Sequence, residues 1–233
     1  AKKNIYHPKI VFRLDKELRD FLKIISFQIV SMVAIGLNPV VDQTMASWLN
    51  IGSVSILQYA EKLYQIPVVF ILSGFIVVIL SRWSEQYHKE EKGKVFKKEI
   101  KTTLLLVFIF SLFLMAVLAA FSGPIVRFVY CRGEFPVELL GLVKGTFIFY
   151  LLGVGFYLMG QVMVRAHLVK GDTKVLMKAA FLSNFCNISL NLIFMKLLGI
   201  KGLALSTSIT SLITFVYLLR TLDIFFKKRT VSP

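Results

Sequence analysis

The chain has 233 residues, of which 56% are hydrophobic, and its formal net charge is +15. A mean hydropathy of +0.72 excludes a soluble domain and predicts a membrane protein with several spans, about six or seven at this length. The spans are predicted to be helices, because transmembrane strands would show short alternating segments in place of long apolar runs.

The predicted elements begin with a basic amphipathic segment at 1–21. Leu14, Leu18 and Phe21 recur there at helical spacing, which predicts a helix on the inner membrane surface. A six-helix transmembrane lobe is predicted over 22–222, and a basic cytoplasmic tail follows at 223–233. The six spans are predicted at about 22–41, 57–81, 103–122, 140–164, 176–198 and 203–222.

The connections between the spans differ in character. The stretch 82–101 mixes both charge signs and is predicted to be a solvated inner connection. "SGPIVRFVYCRGEFPVE" carries glycines and prolines and predicts an outer loop between spans three and four. "LLGIKG" predicts a very short outer hairpin between spans five and six.

The basic residues lie mostly on one side of these spans. Of the 28 Lys and Arg residues, 22 fall in 1–23, 82–101, 165–178 and 220–229. This asymmetry follows the positive-inside rule and predicts that both termini are cytoplasmic. The net positive charge is therefore explained by membrane orientation and by contact with anionic headgroups. Binding to nucleic acid is not needed to explain it. The six remaining basic residues are Lys62, Arg127, Arg132, Lys144, Lys196 and Lys201.

The sequence carries no sign of an enzyme. His7, His88 and His167 fall in predicted tails or loops and share no ligand spacing. No phosphate-binding loop or nucleophile elbow is present, and two cysteines make no metal site.

Span two carries a polar stripe on one helical face. Ser55, Gln58, Lys62 and Gln65 follow at three- or four-residue spacing, with Glu61 on the flank. Ionisable groups inside a membrane are costly and usually face a water-filled cavity or a partner. The alternative is that the charged pair lies at the interface, where the lysine reaches the headgroups.

Polar residues also mark three other spans. Asp42, at the outer end of span one, suits a cation ligand or a proton carrier, or else a carboxylate exposed at a helix end. In span five, Asn184, Asn187 and Asn191 form one stripe suited to interhelical hydrogen bonds or to binding a hard cation. In span six, one helical face carries Thr207, Thr210 or Ser211, and Thr214. This face is able to meet the asparagine stripe of span five.

Several motifs in order resemble the MurJ/MviN family of lipid II flippases. They are "VVDQTMASWLNIGSVSILQYAEKLYQIPVVF", "CRGEF" and "VRAHLVKGDTKVLMKAAFLSNFCNISLNLIF…GIKGLALSTSI". The resemblance covers about 15–222 and corresponds to the C-terminal six-helix lobe of this family in the MOP transporter superfamily. It implies an all-α, MATE-like lobe in the bacterial inner membrane.

The resemblance also implies a substrate-binding set. The essential cavity arginine of the family falls on Lys62, which keeps the charge but lacks the planar fork that binds a diphosphate. An acidic family residue falls on Gln65, and a cavity serine falls on Ser55. With the neighbouring Tyr59 and Glu61, these residues are expected to line the cavity for the undecaprenyl-diphosphate-linked sugar lipid.

A sodium site is implied in the same way. It maps to Asp42, Asn187, Asn191, Thr207 and the backbone carbonyl of Leu203. The chain departs from the family pattern at Asn191, where the family has an aspartate, so Asp42 is left as the one charged ligand. Sodium or proton coupling therefore stays an expectation, since amide oxygens also coordinate sodium.

The mechanism implied is alternating access between two lobes. A single six-helix lobe does not enclose a cavity, so a complementary N-terminal lobe or a second subunit is expected. Two alternatives remain open at this point. One is another MOP-superfamily exporter, of polysaccharide lipids or of drugs, and the other is a non-transporting membrane scaffold.

Overall fold

A computed structural model describes residues 16–76, 79, 82–84, 92–131 and 136–222, and these form helices joined by short turns. A π-helical turn, Leu72–Ile76, extends the second helix, and a 3-10 turn, Val137–Leu139, precedes the fifth. The helices are α1 (Lys16–Ala46), α2 (Ser53–Ile71), α3 (Lys92–Ala120), α4 (Ser122–Tyr130), α5 (Leu140–Leu151), α6 (Val154–Lys170), α7 (Thr173–Leu198) and α8 (Ile200–Thr221).

The prediction of an all-helical membrane protein is confirmed. Within the described ranges, α1, α3, α7 and α8 are each long and apolar enough to cross a bilayer, and the bent pair α5–α6 would make a fifth span. Their outer faces carry exposed side chains such as Phe113 and Phe185, 66% and 71% accessible, as expected for contact with lipid.

The count of six spans and the orientation of the termini stay predictions. The predicted second span, 57–81, reaches residues outside the described part of the chain, as does the connection 82–101. The amphipathic segment is described only from Lys16, where it continues directly into α1. The tail 223–233 also lies outside the described residues.

The stretch predicted as an outer loop contains a helix, α4. Val126 packs into the core with 1% exposure, and the Tyr130 hydroxyl donates a hydrogen bond to the Tyr59 carbonyl at 2.9 Å. The loop prediction relied on Gly123 and Pro124, but both lie in the first turn of α4, where proline costs no hydrogen bond. The prediction was therefore wrong for this segment.

The predicted fourth span is divided into α5 and α6, which meet at an angle of 43°. The break leaves carbonyl groups of α5 without intrahelical donors, and the Ser208 hydroxyl of α8 bonds the Phe149 carbonyl at 2.6 Å. Gly153 permits this approach, because a Cβ atom there would lie 2.5 Å from the Cα atom of Ser208.

The short hairpin between α7 and α8 is confirmed, and it depends on two glycines. Gly199 takes a positive φ of 58° between the helices. Gly202, in the first turn of α8, lies directly against the Phe194 carbonyl, with no room for a side chain. α7 and α8 consequently run side by side, and α1 packs along α7.

His167, assigned from sequence to a tail or loop, lies fully buried in the last turn of α6. One ring nitrogen is 3.4 Å from the Asp172 carboxylate and the other is 3.1 Å from the Leu218 carbonyl. The residue therefore joins the α6–α7 turn to the end of α8.

We expect Gly202→Ala to destabilise the lobe, because its methyl group would overlap the Phe194 carbonyl. Overpacking of this kind typically costs 1–3 kcal/mol, which corresponds to a drop of about 3 °C or more in Tm. Thermal unfolding of the purified protein in detergent measures the change. Gly36→Ala is the control, since no atom lies within 4 Å of a Cβ placed there. An equal Tm for the two variants would contradict the packing argument.

Candidate functional site

Asp42 lies inside the lobe, not exposed at a helix end. α1 continues to Ala46, and the side chain of Asp42 is 6% exposed. No Lys or Arg among the described residues forms an ion pair with this carboxylate. A buried carboxylate without a basic partner depends on hydrogen-bond donors, on a bound cation or on protonation.

Two asparagines of α7 supply one side of this environment. The Asn191 side chain donates to Asp42 Oδ1 at 2.6 Å and to Asn187 Oδ1 at 3.2 Å. Both asparagines are fully buried, and Asn191 Oδ1 has no hydrogen-bond partner within the described part of the chain. A buried acceptor without a donor costs free energy, unless a cation or water meets it.

The first turns of α8 complete the environment. The Thr207 hydroxyl lies 3.0 Å from Asp42 Oδ2 and 3.1 Å from the Leu203 carbonyl oxygen. The structure therefore brings together all five residues expected at the ion site, from three helices. Their oxygens comprise one carboxylate, two amides, one hydroxyl and one carbonyl, a set suited to a hard monovalent cation.

The third asparagine of the stripe has a different place. Asn184 donates to the Ala34 carbonyl of α1 at 2.7 Å, and nearby Asn38 donates to the Ser183 hydroxyl at 3.0 Å. These hydrogen bonds join α1 to α7. Amide side chains commonly link neighbouring helices in this way inside a membrane. The stripe thus serves interhelical hydrogen bonding at Asn184, whereas cation binding by Asn187 and Asn191 stays a prediction.

Asp42 opens into a cavity of about 280 Å³ inside the lobe, whose walls are mostly apolar with polar groups spaced along them. From Gln28 to Asp42 the cavity follows α1 for about 21 Å, at 1.5 Å per residue. Sequence analysis missed much of this lining. Three lining tyrosines come from separate helices, and nothing in their local sequence predicts that they meet. The missed lining residues are Gln28, Ser31, Asn38, Tyr64, Tyr150, Tyr157 and Gln161.

The residues expected to bind substrate divide between two faces of α2. Glu61 and Gln65 line the interior cavity, and the Gln65 amide donates to Glu61 Oε1 at 2.7 Å. Ser55 and Lys62 are exposed on the side of α2 that no other described helix covers. Gln65 is exposed too and lies between the two environments.

Lys62 is not near the end of its helix. α2 begins at Ser53, so Lys62 lies about 14 Å along it. Tyr59, one turn earlier, is half-buried and stacks against Tyr130 with ring centroids 4.7 Å apart. Lys62 therefore presents a positive charge well inside the length of the helix, on an open face.

Known proteins resemble this chain along nearly its whole length. The family model described as "Lipid II flippase MurJ" matches residues 1–230. The probable lipid II flippase MurJ of Aquifex aeolicus is 31% identical over 214 residues, which cover 89% of this chain and 40% of that protein. The corresponding protein of Rickettsia prowazekii is 26% identical, with 90% of this chain and 41% of that protein covered.

Two solved structures share the fold. A lipid II flippase MurJ in an inward closed conformation superposes with a TM-score of 0.78 at 31% identity, covering 91% of this chain and 45% of that one. A MOP superfamily transporter from Pyrococcus furiosus gives a TM-score of 0.74 at 17% identity, covering 89% of this chain and 46% of that one. The chain thus spans less than half the length of these relatives.

The contact between Asp42 and Asn191 predicts energetic coupling between the two residues. In a double-mutant cycle of Asp42→Ala and Asn191→Ala, measured by denaturant unfolding in sodium-free buffer, we expect a coupling of about 1 kcal/mol or more. The control cycle pairs Asp42→Ala with Asn184→Ala, which removes an amide bonded to Ala34. That cycle should be additive within about 0.5 kcal/mol. Additivity in both cycles would show that the hydrogen bond does not contribute.

Proposed function

Since this chain belongs to the lipid II flippase MurJ family, we propose that it is one lobe of a flippase for undecaprenyl-diphosphate-linked sugar lipid, lipid II. As a member of this family it is an integral protein of the bacterial inner membrane. The relatives compared above are named as flippases or transporters, not as catalysts. We accordingly assign the chain a transport role by alternating access and no enzymatic step.

The open face of α2 is the observation that carries this proposal. Its buried face packs in the lobe through Leu57, Ala60 and Leu63. Its opposite face leaves Ser55 and Lys62 uncovered. A cation held there attracts a diphosphate headgroup in a passage of low dielectric, while the polyprenyl chain stays in the bilayer.

A second lobe is needed to turn this open face into a cavity. The chain covers 40–45% of the relatives at about 30% identity, which supports the proposal that the remaining helices form that lobe. They belong to the rest of a longer protein, to a separate polypeptide or to another copy. Rocking of one lobe against the other would then expose Lys62 to each membrane side in turn.

The buried carboxylate supports coupling of this movement to a cation. Sodium would be held by Asp42, Asn187, Asn191, Thr207 and the Leu203 carbonyl. The Asn191 amide, which donates its N–H to Asp42 in this structure, would turn so that its unpartnered Oδ1 meets the ion. A bound sodium ion supplies the positive charge that Asp42 lacks in the described structure. Holding α1, α7 and α8 together at this point would favour one conformation of the lobe over another.

The two other functions are distinguishable from this one. An exporter of drugs would favour an apolar cavity with few cations, whereas the exposed charge of Lys62 favours a diphosphate lipid. A membrane scaffold would use its surfaces alone, so neither Lys62 nor Asp42 would matter to its function.

Lys62→Ala in the complete flippase should slow lipid II translocation about tenfold or more, because the diphosphate would lose a desolvated charge partner. Lys62→Arg should retain most activity, since the charge remains. The rate is measured with fluorescent lipid II in proteoliposomes, by quenching from outside. Lys196→Ala is the control, as an exposed lysine in the last turn of α7. Full activity in Lys62→Ala would exclude the proposed role of this lysine. If Asp42→Asn also left the translocation rate unchanged, a scaffold would be favoured.

Replacing choline chloride by sodium chloride at constant ionic strength should raise the Tm of the protein by about 3 °C or more, because sodium binds the folded state. Asp42→Asn should abolish this rise. Asp20→Asn, an exposed carboxylate in the first turns of the same helix, should preserve it. A Tm that responds to pH but not to sodium would instead assign a proton to Asp42, and no response to either would remove the coupling proposal.

A further inference from the structure

A groove lies between α4 and α5, at the end of the lobe that the charge distribution predicts to be outside. Its volume is about 620 Å³, within the range of small-molecule binding sites. Pro124, Val126, Val137 and Leu140 give it apolar walls, and Gly141 leaves it open, with no atom within 4 Å of a Cβ placed there.

Two basic side chains line this groove, Arg127 in the last turn of α4 and Lys144 in α5. Lys144 lies across the groove, with its Nζ atom 3.8 Å from the Cβ position of Gly123. Lys201 of α8 lies beside the groove, where its Cε atom is 2.6 Å from the Cβ position of Gly145, the residue after Lys144. Three cations from three helices therefore converge on one corner of the lobe.

These three cations have no acidic partner in the part of the chain that the structure describes. Among the described residues, none forms an ion pair with Arg127, Lys144 or Lys201, and Glu138 in the adjoining 3-10 turn has no described ion-pair partner either. Only six basic residues are predicted on the outer side, and half of these lie at this groove or beside it. Such a concentration of positive charge points to an anionic ligand.

The surroundings of the groove indicate a lipid. Phe121 and Phe128, at the start and near the end of α4, are 57% and 74% exposed, which suits a helix resting at the boundary of the bilayer. A lipid at this level would place its glycerol and upper acyl carbons on the apolar walls and its phosphate beside the cations. The Arg127 guanidinium can bind two phosphate oxygens at once, and Lys144 adds a point charge.

We propose that this groove binds the phosphate of an anionic glycerophospholipid of the outer leaflet, of the phosphatidylglycerol type. Net charge selects this ligand over phosphatidylethanolamine, whose ammonium group the three cations repel. Binding fixes α4 against α5 and leaves the interior cavity and the open face of α2 untouched. The site is thus separate from the one proposed for lipid translocation.

The test is native mass spectrometry of the detergent-purified protein titrated with phosphatidylglycerol or phosphatidylethanolamine. Arg127→Gln combined with Lys144→Gln should weaken phosphatidylglycerol binding about tenfold or more. Gly141→Leu should weaken it similarly with no change of charge, because the leucine side chain fills the open groove. Lys196→Gln, which removes a predicted outer charge away from the groove, is the matched control and should bind like the parent protein.

Five results would overturn the proposal, and four of them concern the ligand or the control variant. These four are equal binding of phosphatidylethanolamine, a loss in Lys196→Gln equal to that in the groove variants, displacement of the lipid by excess inorganic phosphate, and preferential binding of undecaprenyl diphosphate. The third would reduce the groove to a free-anion site, and the fourth would make it part of the transport route. Unchanged binding in Gly141→Leu would remove the groove itself from the explanation, whether or not the double variant folds.

Discussion

The lobe depends on the buried carboxylate of Asp42, which lacks a basic partner among the described residues. Its charge is stabilised by an amide from α7 and a hydroxyl from α8, so three helices meet at one group. In a membrane, where water does not compete, such contacts fix the relative positions of helices. Among these groups the Asn191 amide oxygen has no hydrogen-bond donor in the described part of the chain. The contact is therefore suited to binding a cation.

Around this polar group the lobe packs an apolar core, and it exposes further apolar side chains on its outer faces. Close packing replaces the hydrophobic effect between helices, as Gly153 against Ser208 and Gly202 against Phe194 illustrate. The first of these contacts also satisfies a backbone carbonyl group. The Ser208 hydroxyl bonds a carbonyl freed at the bend between α5 and α6. The bend is therefore satisfied internally, as a break at membrane depth must be.

α2 links the two polar regions of the molecule. Glu61 faces the cavity shared with Asp42, whereas Lys62, the next residue, is exposed on the neighbouring open face. A movement of this one helix would change both environments together, which is the physical requirement for coupling an ion to a substrate. Sequence showed the stripe of Ser55, Lys62 and Gln65 but not this division. A stripe gives the face of a helix, and packing decides what that face meets.

By itself, the sequence determined that the chain is a helical membrane protein, the order of its polar motifs and the family it resembles. The length of the apolar runs and the placement of charge are local properties, so both can be recognised without knowledge of the fold. Only the tertiary structure decided that Asp42 is buried beside Asn191 and Thr207, some 150 residues away. It also made a helix of "SGPIVRFVY", and it placed Arg127 and Lys144 in one groove with Lys201 beside it. Such meetings are set by how helices pack, and no local pattern encodes them.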